Sequence, residues 1–179
     1  MTHLVNAVGG GDLNQEVDLN ELYIDIQGEE VRYAPEHWPG LSVKFTNDSP
    51  TVMIFRTGKY NIAGASSISE LKSANKKIIT QLQKLNVGGN VSDFEVRNLV
   101  YLHNYDRELD LNQLTIGLGM ERTEYEPEQF GGVLYKRPNV NGTFMIFRNG
   151  KIILTGAKEP QEAKTDLESF CDKLDSLFD

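Results

Sequence analysis

The sequence predicts an α+β fold: an antiparallel sheet covered by helices on one face, built from two copies of one unit about a pseudo-twofold axis. Three observations carry this. Residues 33–65 recur at 125–157, shifted by 92 positions without a gap, with 15 identities in 33 positions, where ordinary composition gives about two. Each copy holds two β-rich runs punctuated by Gly-Lys, the pattern of a hairpin. Each copy then closes on a long stretch with apolar residues at helical spacing, and a sheet with helices segregated to one face is the α+β arrangement.

The repeat divides the chain into 1–87 and 93–179, joined by the Gly-containing segment 88–92. The same register pairs Asn6 with Asn98, Val8 with Val100, Leu19 with Leu111 and Leu22 with Leu114. Leu4–Val8 and Phe94–Leu102 read as the first strand of each half. Asp18 and Asp110 each stand three residues before Glu21 or Gln113, a capping-box spacing. Behind these caps, Leu19, Leu22, Tyr23 and Ile26 make one apolar stripe, and Leu111, Leu114 and Leu118 the other.

Leu41–Phe45, Thr51–Phe55 and Tyr60–Ala63 are the strands of the first hairpin region. Val133–Lys136, Thr143–Phe147 and Ile152–Thr155 are those of the second. Ser67 and Glu70 form a capping box ahead of Leu71, Ala74, Ile78, Leu82 and Leu85. Pro160 suits a first helical turn, and Ala163, Leu167, Phe170, Leu174 and Leu177 follow it as a stripe.

Bulk properties narrow the function. With 39% hydrophobic and 25% charged residues, the chain reads as globular and not disordered. No apolar run approaches the roughly 20 residues of a membrane span, and the N-terminus lacks a signal-peptide layout. One cysteine, Cys171, allows no intrachain disulfide and fits a reducing compartment. His3, His37 and His103 match no metal spacing, Gly9-Gly10-Gly11 has no following Gly-Lys-Ser/Thr, and no catalytic spacing appears. Neither an enzyme, nor a cofactor, nor a small-molecule substrate is expected. Eighteen basic against 26 acidic residues give a net charge of −8, the wrong sign for a generic nucleic-acid binder. DNA binding then requires the cations to gather on one surface.

Some apolar residues are left over. Val52-Met53-Ile54-Phe55 and Phe144-Met145-Ile146-Phe147 are apolar on both faces. Period two sets Met53 and Phe55, and Met145 and Phe147, on one side. Either both faces are buried, or the Met and Phe side is open while Ile54 and Ile146 pack under the helices. Repeated Asn, Val and Phe rimmed by Lys44, Lys59, Lys136 and Lys151 suit minor-groove binding. There amides meet adenine N3 and thymine O2, apolar residues lie on the floor, and rings wedge between base steps.

These residues resemble the TATA-box-binding protein family of archaea and eukaryotes over essentially the whole chain. The motifs are Tyr125-Glu-Pro-Glu-Gln-Phe130-Gly-Gly-Val-Leu-Tyr-Lys136 and Met145-Ile-Phe147-Arg-Asn-Gly150-Lys151-Ile-Ile-Leu-Thr155-Gly-Ala-Lys158. The first half repeats them more loosely as Tyr33-Ala-Pro-Glu-His-Trp38-Pro-Gly and Met53-Ile-Phe55-Arg-Thr-Gly58-Lys59. The resemblance implies a saddle-shaped curved sheet with helices on its convex face. The concave face binds and bends the minor groove of AT-rich, TATA-like promoter DNA, a mode for which this family is itself a type example.

It implies a general transcription initiation factor that recruits a transcription factor B type protein and the RNA polymerase machinery. Such a factor is cytoplasmic and nucleoid-associated in an archaeon, nuclear in a eukaryote. Phe55, Phe130 and Phe147 match three wedge phenylalanines, and Trp38 takes the fourth place. Asn6 and Asn98 match the central asparagines, Val8 and Val100 the floor valines, and Thr155 the accompanying threonine. Lys44, Lys59, Lys136 and Lys151 match backbone-contacting positions. Glu126, Glu128 and Gln129 lie where the second stirrup meets the factor B partner.

The first half departs from the family pattern: Ala63 replaces a Thr, Asn61 an apolar residue, and Ser66 stands opposite Lys158. Val5 and Arg97 replace glutamines, and Ser49 and Asn141 stand where arginine is frequent. An alternative is therefore a divergent paralogue acting as a regulatory protein-interaction module with weak DNA binding.

Overall fold

The computed structural model describes residues 1–138 and 140–179; Asn139, the repeat partner of Asn47, lies outside the described residues. The chain clusters into two compact units, one of Asn6–Arg97 and one of Met1–Val5 with Asn98–Asp179. Along the first half of the sequence, β1 (Thr2–Asp12), α1 (Leu19–Asp25), β2 (Glu30–Tyr33), β3 (Gly40–Lys44), β4 (Thr51–Phe55), β5 (Lys59–Ala65) and α2 (Ile68–Lys84) follow in order. The second repeats this as β6 (Glu95–Asn104), α3 (Leu111–Leu118), β7 (Thr123–Glu124), β8 (Gly132–Lys136), β9 (Thr143–Phe147), β10 (Lys151–Ala157) and α4 (Pro160–Phe178), with a 3-10 turn at Met120–Arg122. The strand orders are β2-β3-β4-β5-β1 and β6-β10-β9-β8-β7, and every pair within them is antiparallel.

The α+β reading holds, and so do the elements taken from periodicity. The two short edge strands β2 and β7 are additions that the sequence analysis lacked. Both are brief, four residues and two, too short for their alternation to establish a period.

The sheet divides its residues by parity. Leu41, Val43, Val52, Ile54, Tyr60 and Ile62 are fully buried in the first half, as are Val133, Phe144, Ile146, Ile152 and Leu154 in the second. Met53, Phe55, Met145 and Phe147 remain half-exposed. The open-face alternative is the one observed. Leu71, Ala74, Ile78 and Leu82 of α2, and Ala163, Leu167, Phe170 and Leu174 of α4, cover the buried side. Phe170 stacks on Phe144 at a centroid distance of 4.5 Å and on Tyr135 at 5.6 Å. Their repeat partners Ile78, Val52 and Val43 are aliphatic, so one core is aromatic where the other is branched. The hydroxyl of Tyr60 donates to Asn75 Oδ1 at 2.7 Å, and burial pushes its pKa up to about 12.

The caps form with two corrections. Asp18 accepts from the backbone of Asn20 and Glu21, and Asp110 from Asn112 and Gln113. Ser67 accepts from Glu70 N at 3.0 Å, but the Glu70 carboxylate returns to Ser66 N and Oγ and not to Ser67 N. Tyr23 leaves the α1 stripe: it is 46% exposed while Leu19 and Leu22 are buried, because a seven-residue helix offers the sheet only a narrow face. The C-terminus of α2 is a Schellman motif. Asn86 takes φ +57°, with Val87 N donating to Leu82 O and Asn86 N to Gln83 O.

Candidate nucleic-acid interface

Strand pairing fixes what each open face presents. In the first half the rows Asp12–Lys59 and Gly10–Asn61–Met53–Ser42 run across the strands. Asn6 and Val8 stand further along β1, half-exposed. In the second, Asn104–Lys151 and Leu102–Ile153–Met145–Leu134 are the matching rows. Asn98, Val100 and Thr155 lie on that face, half-exposed.

Each half ends its open face in an aromatic pair. Trp38 meets Phe55 edge-on at 5.5 Å and 69°, and Phe130 meets Phe147 at 5.6 Å and 67°. Both leading rings stay exposed, Trp38 by 39% and Phe130 by 37%, so Trp38 is not a core anchor. Glycine makes this possible. A Cβ on Gly40 would come within 2.4 Å of the indole, and one on Gly132 within 2.9 Å of the Phe130 ring.

The asparagines are held by a device the sequence analysis missed. Gly64 N donates to Asn6 Oδ1 at 2.9 Å, and Gly156 N to Asn98 Oδ1 at 2.7 Å. Both glycines have positive φ, +93° and +98°, a region that costs an L side chain strain. Because a backbone N–H can only donate, the atom facing it must be the amide oxygen, and the NH2 group is turned away from the glycine. Asn98 Nδ2 also lies 3.3 Å from Thr155 Oγ1; Ala63 offers no such hydroxyl in the first half. The repeated glycines were the available signal, but an Asn–Gly bond across 58 residues has no local signature.

Lys59, Lys136 and Lys151 are exposed, while Lys44 donates to Asn47 O at 3.3 Å. The expected gathering of cations on one surface is not observed. Lys72, Lys76, Lys77 and Lys84 lie on α2, and Lys164 and Lys173 on α4. The open faces also carry acids: Asp12 opposite Lys59, and Glu30 opposite Lys44 and paired with Arg32. Even exposed elements of this chain carry mixed charge, so the open faces are apolar and amide-rich more than they are basic.

Glu126, Glu128 and Gln129 sit exposed in the turn between β7 and β8, where Gln129 N and Phe130 N both donate to Glu126 O at 2.9 Å. No group of three metal-ligating side chains occurs among the described residues, and no helix there is long and apolar enough to cross a membrane.

The family model described as "Transcription factor TFIID (or TATA-binding protein, TBP)" matches residues 1–85 and 93–177. TATA-box-binding protein C of Halobacterium salinarum is 36% identical over 176 residues, covering 97% of both chains. The TATA-box-binding protein of Archaeoglobus fulgidus is 32% identical over 173 residues, 96% of this chain and 93% of that one. Among solved structures, Methanococcus jannaschii TBP superposes with a TM-score of 0.81 at 32% identity, covering 98% of each chain.

Proposed function

The chain belongs to the TATA-box-binding protein family, a family of general transcription initiation factors that bind promoter DNA and not of enzymes, and from that premise we propose how its own residues do so. Each open face meets the minor groove of AT-rich DNA and bends it. The single observation that supports this most directly is the pinned asparagine in each half. Asn6 and Asn98 spend their carbonyl oxygens on glycine N–H groups and turn amide donors to a face bounded by Val8 or Val100. The A·T minor groove shows only acceptors, adenine N3 and thymine O2, so outward donors are the complementary chemistry.

The pairs Trp38–Phe55 and Phe130–Phe147 are the wedges that unstack base steps. Lys44, Lys59, Lys136 and Lys151 contact phosphates. Thr155 supports Asn98. Residues 1–87 and 93–179 are the two repeats, with 88–92 the junction. Glu126, Glu128 and Gln129 receive a transcription factor B type protein that brings the polymerase, on the nucleoid of an archaeal cell.

Binding and bending are tested together by fluorescence with AT-rich and GC-rich duplexes across salt. Preferential bending of AT-rich duplex that weakens with salt supports the reading; equal, weak binding to both overturns it. That second outcome would favour a regulatory module with little DNA affinity, a reading supported by Asp12 and Glu30 on the open face.

A further inference from the structure

One row changes character between the two open faces. Leu102, Ile153, Met145 and Leu134 make it apolar in the second half; Gly10, Asn61, Met53 and Ser42 make it polar in the first. Asn61 is half-exposed and does not stand alone. Arg97 Nη1 donates to Asn61 Oδ1 at 2.5 Å. Gly10 leaves room for both: a Cβ there would lie 2.7 Å from Arg97 Nη1, 2.8 Å from Asn61 Oδ1 and 2.3 Å from Tyr60 O. Even alanine is too large at that point.

A guanidinium carries no acceptor, so the atom it faces must be the amide oxygen. That is the arrangement of Asn6 and Asn98, with a side-chain donor in place of a glycine N–H. We propose that Arg97 and Asn61 form a third reading position, in which the held amide presents its NH2 donors to one base step beneath the first half and demands an A·T pair there. The inference rests on the open face meeting the minor groove.

The chemistry sets the direction of the preference. Guanine adds an exocyclic amine donor to the groove. A free asparagine could answer it by turning its oxygen outward. With that oxygen held by Arg97, donor meets donor, and G·C is rejected. Ile153 at the matching place in the second half has no such power, since it neither donates nor accepts.

The test scans an AT-rich duplex, replacing each pair in turn by G·C or by I·C, whose hypoxanthine lacks the amine. The intact chain, Asn61→Ile and Arg97→Gln are compared, with thermal melts confirming that each is folded. The proposal expects one step at which G·C weakens binding by about tenfold while I·C binds like A·T. Both variants should bring that ratio to within about twofold at that step and leave the others unchanged. A uniform loss of affinity across all duplexes would make the pair a backbone contact and overturn the proposal. So would unchanged ratios in both variants, or I·C behaving like G·C, which would assign the effect to duplex stiffness. Failure of the intact chain to bind any duplex would instead overturn the functional reading itself, and this inference with it.

Discussion

At Gly64 and Gly156 a single hydrogen atom in place of a side chain decides what Asn6 and Asn98 can do. Both residues adopt positive φ, where alanine costs about 1–2 kcal/mol. Their surroundings differ: a Cβ on Gly156 would lie 2.5 Å from Asn141 O, whereas Gly64 has nothing within 4 Å. Gly156→Ala should therefore lower the urea midpoint clearly more than Gly64→Ala; equal shifts would show that strain alone matters. The aromatic pairs give a second prediction. Thr155 supports Asn98 while Ala63 lacks a hydroxyl, so the second half should dominate affinity. Phe147→Ala should then cost more than Phe55→Ala, by roughly 1 kcal/mol if each ring contributes about 1–3 kcal/mol of stacking, read from duplex titrations. The identities of Asn6, Asn98, Gly64, Gly156, Phe55 and Phe147 were legible because duplication marks each twice, a mark that Arg97 and Asn61, opposite Val5 and Ile153, lack. Their bonding was not: Arg97–Asn61 and Asn–Gly contacts join residues 36 and 58 apart, and no periodicity encodes a contact between strands.

Elements of this chain were readable wherever apolar spacing was regular. The 3-4-4 spacing of Leu71, Ala74, Ile78 and Leu82 placed α2, and Pro160 placed the start of α4. Short edge strands and short helices carried too few residues to show a period, which is why β2, β7 and the exposure of Tyr23 needed the structure. The start of α2 offers a prediction of its own. Hydrogen bonds from Ser66 N, then Ser66 Oγ, hold the Glu70 carboxyl below its usual pKa. A carboxylate lowered on folding stabilises above its unfolded pKa, about 4.3. That stabilisation is lost as pH falls through the folded value. Ser66→Ala removes one of the two donors, so the Glu70 side-chain carboxyl resonance should titrate at higher pH in the variant. No change would mean that the backbone bond alone holds it. Ser66→Lys, which copies Lys158, should tighten DNA binding while giving up the same hydroxyl bond.

Over the whole molecule, charge works against the proposed partner: net −8, with six lysines on α2 and α4. Affinity must then come from the few cations beside the open faces. Lys59→Glu with Lys151→Glu should abolish binding, whereas Lys76→Glu with Lys77→Glu should change it little. Equal loss from both would sink the assignment of the sheet as the binding face. A titration with a factor B homologue separates the partner surface from the DNA surface. Glu126→Arg with Glu128→Arg should keep the binary complex and lose the ternary one, since reversed charge at an interface costs several kcal/mol; an intact ternary complex would remove that assignment. Finally, the halves are optically distinct. The chain's one tryptophan is exposed in the first half, while the Tyr135–Phe144–Phe170 stack is buried in the second. Indole emission should be quenched as Trp38 stacks on a base, and near-ultraviolet dichroism should follow the buried rings. One unlabelled sample can thus time the first half's engagement on the indole channel and the melting of the buried rings, Tyr60 included, on another.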